Sequence, residues 1–309
     1  MTEVFEEHRD HLIGVAYRML GSRAEAEDAV QEAYLRYAGT DRAEIRDLRG
    51  WLTTTTGRIC LDVLRSARVR REAYVGPWLP EPIVQLLPAS DPDPAELAAN
   101  AEQISVALLV VLETLPPEQR VAFILHDVFA VPFDEIAPVL DTSPANARQL
   151  ASRARKSVAA GQRKHTTDRK QQRRVVDAFM AAAAGGDIDE LLKLLAPEVA
   201  IIGDGGGVAP ATKTPIAGAL KVARFVQTLF RQTAGVGAVM EPVLVNGDLG
   251  MVLEMEDYHG QHVHGVVTFS VSEEGRVTGL YNMLNPAKMT RVPHPDAERA
   301  QTTWASQDW

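Results

Sequence analysis

Over residues 3–72 apolar positions recur every three to four residues, a spacing that predicts consecutive helices. In FEEHRDHLIGVAYRMLG, Phe5, Leu12, Ala16, Met19 and Leu20 share one face, and Gly21 ends the element. Ser22 caps a second helix, with Glu25 three positions on as a capping box. That helix is expected to bury Ala26, Ala29, Val30, Ala33 and Leu35 and to expose Glu27, Asp28, Gln31 and Glu32. A polar loop over 39–47 leads into a long helix from Leu48 to Arg71. Helical spacing returns at Leu97–Leu115, stops at Pro116-Pro117, and restarts at Pro117 through Phe129. Between these blocks, residues 74–94 hold six prolines and one glycine and read as a linker. Trp78, Leu79, Ile83, Val84, Leu86 and Leu87 are too apolar to stay solvated, so the linker is expected to dock.

After a polar, basic joint over 161–174 the period changes. VVDAFMAAAAGGDIDELLKLLAPEV reads as two helices broken at Gly-Gly-Asp. Strand-like runs follow at Val199–Ile202, Val239–Val245, Gly250–Met255, Val263–Val271 and Val277–Asn282, with one more helix over 214–233. Asn246-Gly247 is a strong hairpin signal and Glu274-Gly275 a weaker one. Residues 290–309 lack periodicity and read as a loose tail.

The segment FDEIAPVLDTSPANARQLASRARKSV, residues 133–158, reads as a helix-turn-helix. Phe133, Ile136, Ala137 and Leu140 form one apolar face; Ala147, Leu150, Ala151, Ala154 and Val158 form the other. Ser143 can cap the second helix, with Pro144 at its first position. Arg148, Gln149, Ser152, Arg153, Arg155 and Lys156 remain on the outer side. Arg and Gln can pair two-pronged with guanine or adenine edges, and Lys and Ser suit phosphates. The alternative is a solvated basic helix in an ordinary helical pair. Pro138, inside the first helix, should bend it or remove a hydrogen bond, and Asp141 stands where glycine is common.

Net charge is −9, which by itself argues against nucleic acid, but the charge is unevenly spread. Residues 73–117 carry six acids and no base, whereas residues 145–174 carry ten basic groups against Asp168 alone. A second basic cluster, Arg58, Arg65, Arg68, Arg70 and Arg71, closes the first block. Two basic patches flanking an acidic tether suggest two DNA-contacting modules. The 309 residues suffice for two or three domains with separate cores. There is no apolar run of about 18 residues and no signal-like N-terminus, so a cytoplasmic location is expected. Cys60 is the one cysteine, which excludes intramolecular disulfides and cysteine metal clusters, and its neighbours predict a buried structural thiol.

With these motifs in place, residues 5–71 and 97–160 resemble the two domains of bacterial extracytoplasmic-function (ECF) sigma factors. The resemblance implies a protein that directs core RNA polymerase to promoter DNA. It implies that AEDAVQEAYLRY meets the polymerase through Asp28, Gln31 and Glu32. The helix DLRGWLTTTTGRICLDVLRSARVRR would melt and read the downstream promoter element. Trp51, Thr54 and Thr55 suit unstacked bases, and Arg58, Arg65 and Arg68 suit phosphates. Trp51 is equally readable as a core tryptophan at a helix start. The helix-turn-helix would read the upstream element. Residues 175–289 resemble SnoaL-like domains, a cone-shaped α+β fold with an apolar pocket. The subgroup with such a fused domain is matched at WLPEP (Trp78, Leu79, Pro80, Glu81, Pro82), DGGG (Asp204, Gly205, Gly206, Gly207) and NPAKM, including Asn285 and Pro286. The last departs from the usual NPDKL. Successive glycines also permit positive φ and close backbone approach beside Asp204.

The expected architecture is therefore multidomain: two all-α sigma domains, the second with the helix-turn-helix, then an α+β SnoaL-like domain. The divisions fall at 1–72, a linker 73–96, 97–162, a joint 163–174, 175–289 and a tail 290–309. The last domain is expected to regulate the first two without a separate anti-sigma protein. A sigma-like regulator whose C-terminal domain binds or converts a small molecule in its pocket is the competing reading. Its acid–base candidates are Asp204, Glu254, Glu256, Asp257, His259, His262, His264 and Tyr281, with Asp204–His264 the obvious pair. His262 and His264 share a strand face, but no third ligand completes a metal set, and no metal or cofactor is expected.

Overall fold

The computed structural model describes residues 3–72, 74–87, 104–161, 168–233, 237–256, 260–298 and 300. The chain divides into two compact units, residues 1–73 with 108–162, and residues 74–107 with 163–309.

The first unit is all-helical. Helices α1 (Glu3–Leu20), α2 (Arg23–Gly39) and α3 (Leu48–Glu72) pack together. The apolar stripe of α1 is buried as its spacing demands. Ser22 caps α2, its Oγ accepting from the Glu25 N–H at 3.3 Å. The expectation for Leu35 fails: it is 56 % exposed, and Tyr37 is buried instead. Leu35 lies two residues past Ala33, on the opposite side of the helix, whereas Tyr37 continues the i, i+4 row.

Helix α4 (Val106–Glu113) leads to α5 (Pro117–Phe123), a π turn (Ile124–Val128), α6 (Phe133–Val139) and α7 (Pro144–Gly161). The N-terminal part of the helix expected from Leu97 falls outside the described residues. Pro138 is accommodated inside α6, where the helix ends one residue later, and Asp141 takes the left-handed conformation at φ 51°. Ser143 caps α7, accepting from the Asn146 N–H at 3.2 Å. Arg120 on α5 is buried against Glu113; burial pushes its guanidinium down to about 9, which leaves it a cation at neutral pH.

The second unit is built on a seven-stranded sheet of order β1-β4-β5-β6-β7-β2-β3. The strands are β1 (Val84–Leu86), β2 (Leu195–Asp204), β3 (Ile216–Ala217), β4 (Val239–Val245), β5 (Asp248–Glu256), β6 (His262–Val271) and β7 (Val277–Met283). All neighbours are antiparallel except β2 and β7. Helices α8 (Arg169–Gly185), α9 (Ile188–Leu194) and α10 (Ala219–Thr233) cover it, with Phe179, Leu191, Val222 and Phe269 in the shared core. Gly186 ends α8 at φ 68°, and Asn246 and Gly247 take positive φ between β4 and β5, as a primed hairpin turn requires.

Three expectations change. Residues 169–174, read as part of a polar, basic joint, are the first turns of α8. Gln172 is buried there, donating to Asp248 Oδ1 and accepting from the Leu249 N–H. Part of the linker is β1, pairing with β4 on the edge of the sheet. The described part of the tail is packed: Val292 and Ala300 are buried, and the Asp296 N–H donates to Glu241 Oε2 at 3.0 Å. Among the described residues no helix is long and apolar enough to cross a membrane.

Candidate functional site

On the first unit, α7 buries Ala147, Ala151, Ala154 and Val158 and leaves Arg148, Gln149, Arg153, Arg155 and Lys156 exposed, with Ser152 half-buried. Small alanines allow close approach to α5 and α6, so the basic face points outward. Arg148 lies 5.1 Å from the Phe133 ring, and Arg155 pairs with Asp127 at 2.8 Å. Asp28, Gln31 and Glu32 are exposed on α2, where Glu32 also pairs with Arg36 at 3.1 Å.

On α3, Trp51 is half-buried, with its ring 6.3 Å from that of Tyr37. Thr54 donates to the Gly50 carbonyl, Thr55 is half-buried, and Arg58 is exposed. Arg65 is paired with Glu118 at 3.0 Å, and the side chain of Arg68 lies outside the described residues. The two helical blocks pack on one another. Gly57 lets Leu125 approach α3, a Cβ there lying 3.1 Å from it, and His11 meets the Phe129 ring edge-on at 5.2 Å.

On the second unit, the three short motifs converge on one carboxylate. Asp204 ends β2 and is 0 % exposed. It accepts from the Tyr74 hydroxyl at 2.5 Å, the Leu79 N–H at 2.9 Å, the Gly206 N–H at 3.1 Å and Lys288 Nζ at 2.7 Å. Asn285 donates to the Tyr74 hydroxyl at 2.7 Å and caps the turn that carries Pro286 and Lys288. Lys288 also reaches the Leu79 carbonyl and sits 3.9 Å over the Trp78 ring, a cation–π contact. Leu79, Pro80, Glu81 and Pro82 are buried. Burial, and next the adjacent Asp204, push the Tyr74 phenol up, so it stays a donor.

The glycines permit this knot. Gly206 and Gly207 have φ of 62° and 78°, and a Cβ on Gly206 would lie 2.5 Å from Asn285 Cγ. Gly205 has no more room, a Cβ there falling 2.3 Å from the Ala209 carbonyl oxygen.

Sequence reasoning missed Tyr74 and Lys288. Lys288 lay inside NPAKM and could have been taken with Asn285 and Pro286 as part of that motif; nothing in the pattern marked Tyr74. It also missed Asn246, read only as a turn residue. Its side chain accepts from the Ile83 N–H at 3.0 Å and donates to the Ile104 carbonyl at 3.2 Å.

The acid–base pair Asp204–His264 does not form. Asp204 is saturated by four donors, and His264 instead donates to the Pro293 carbonyl at 3.3 Å. Burial pushes the Tyr281 phenol up, and Asp257 and His259 lie outside the described residues.

The fold and these surfaces are those of a transcription initiation factor of the sigma type carrying a SnoaL-like domain. The chain matches the Sigma-70 region 2 family over residues 4–70, Sigma-70, region 4 over 105–158, and the SnoaL-like domain over 176–280. More particularly, it belongs to the ECF RNA polymerase sigma factors. It is 46 % identical to the ECF RNA polymerase sigma factor SigJ of Mycobacterium tuberculosis over 97 % of this chain and 96 % of that one. The probable ECF RNA polymerase sigma factor SigI of the same organism is 32 % identical over 91 % and 92 % of the two chains. The crystal structure of M. tuberculosis SigJ superposes with a TM-score of 0.72 at 42 % identity, covering 93 % of this chain and 97 % of that one.

Proposed function

We propose that the chain binds core RNA polymerase in the cytoplasm through Asp28, Gln31 and Glu32. Trp51, Thr54, Thr55, Arg58, Arg65 and Arg68 on α3 take the melted downstream element. Arg148, Gln149, Ser152, Arg153, Arg155 and Lys156 on α7 take the upstream duplex. Arg65 must first leave Glu118. That exchange is cheap, because both side chains are substantially exposed and such pairs contribute only about 0.2–1 kcal/mol.

The SnoaL-like domain sets activity by holding the linker, and no separate anti-sigma protein is needed. The observation that carries this reading is the Asp204 knot. WLPEP, from the linker between the two DNA-contacting modules, is bonded to DGGG and NPAK of the C-terminal domain.

Run-off transcription with core polymerase tests it, using the full chain, a version ending near residue 164, and full-length Trp78→Ala and Asp204→Ala. Promoter-dependent output should differ between the full chain and each altered form. Equal output from all four refutes the regulatory role. Failure of the full chain to bind core polymerase removes the polymerase assignment and leaves only a DNA-binding protein.

A further inference from the structure

The segment following NPAKM was read as a loose tail, yet it carries His294 back to the sheet. Glu254 on β5 and His264 on β6 are direct register partners, so their side chains leave the same face. His294 contacts Glu254 through Nδ1, and its ring stacks on His264 with centroids 4.5 Å apart. One ligand atom from each of Glu254, His264 and His294 lies within 4.8 Å of the others. His262, two residues before His264, stands 3.4 Å from Glu254.

We infer that Glu254, His264 and His294 form a binding site for a divalent transition-metal ion of the zinc class. Two imidazoles and a carboxylate suit zinc and its neighbours rather than calcium or magnesium, which favour oxygen-only shells. A tetrahedral zinc with bonds of about 2.0–2.1 Å needs donors ~3.3 Å apart. His294, 72 % exposed at its side chain, is the least buried of the three. The His264 Nε2–H is given to the Pro293 carbonyl, which leaves its Nδ1 with the lone pair a ligand needs. The fourth position is left to water. A metal here would staple residues 289–298 to β5 and β6, adding to the hold of buried Met289 and Val292.

The test uses the full chain, stripped with chelator and titrated with Zn²⁺ by calorimetry and with Co²⁺ by visible absorption. One equivalent should bind. His294→Ala and Glu254→Gln should each weaken binding by at least the roughly 10–100-fold that even an outer-shell partner is worth. Circular dichroism of both variants should match the parent without metal, since His294 is exposed and Gln keeps the shape of Glu. No stoichiometric binding by the parent, or parent-like binding by both variants, overturns the site.

Discussion

Asp204→Ala removes one carboxylate and strands four donors. Lys288 is the costly one, since its side chain is only 13 % exposed and the carboxylate is its anionic partner. Breaking a buried pair from one side typically costs about 3–5 kcal/mol, because the remaining charge stays desolvated. A domain is stable by only about 5–15 kcal/mol, so the loss is a large share of the whole. It should also be local. The Leu79 and Gly206 amides donate to the missing oxygens, so they report the knot directly by hydrogen exchange. A local loss of 3 kcal/mol corresponds to exchange about a hundredfold faster, at tenfold per 1.4 kcal/mol. Adding Lys288→Met should return part of the stability, since the stranded ammonium is then gone. Two results refute this reasoning: parental exchange at Leu79 and Gly206 in Asp204→Ala, or a double variant whose losses simply add.

Other consequences are as definite. Gly206→Ala places a methyl against Asn285 at positive φ and should cost about 1–2 kcal/mol, read as a lower urea midpoint for the second unit. Gly57→Leu should wedge α3 from Leu125, costing the roughly 1–3 kcal/mol of overpacking and speeding exchange in Ile124–Val128. Cys60 is buried and burial pushes its thiol up, so it should ignore a thiol reagent even at mildly alkaline pH and react only after unfolding. Asn246→Ala should strand the Ile83 N–H and free the Ile104 carbonyl, raising protease sensitivity over 74–107 while Asp204 stays bonded.

How much of this was legible depended on the range of the interaction. The helix-turn-helix was readable because its apolar rows, its cap at Ser143 and its basic outer face are all encoded within 26 residues. Leu35 misled because it is apolar but off the row, and only the packing of α1 and α3 decides which face is buried. The tail misled for the opposite reason. Val292 and His294 have no local period, and the Glu254 that His294 meets lies on a strand forty residues earlier. Asp204 and the glycines after it were noticeable as composition. Their purpose depends on Tyr74, which is 130 residues away and marked by nothing nearby.

The linker also acquires a different physical character. A free tether of about thirty residues would have a root-mean-square span near 30 Å and would leave the two DNA-contacting modules loosely coupled. This one is held at both ends. Helix α3 stops at Glu72 and the knot begins at Tyr74; Asn246 holds Ile104 and α4 starts at Val106. Along the chain, a single residue separates each helical module from an anchor on the SnoaL-like domain. Over its described residues the proline-rich linker is held by backbone pairing at β1 and by two polar side chains, Asp204 and Asn246. In the proposed scheme, a signal that loosens those anchors acts through the domain that touches neither polymerase nor DNA.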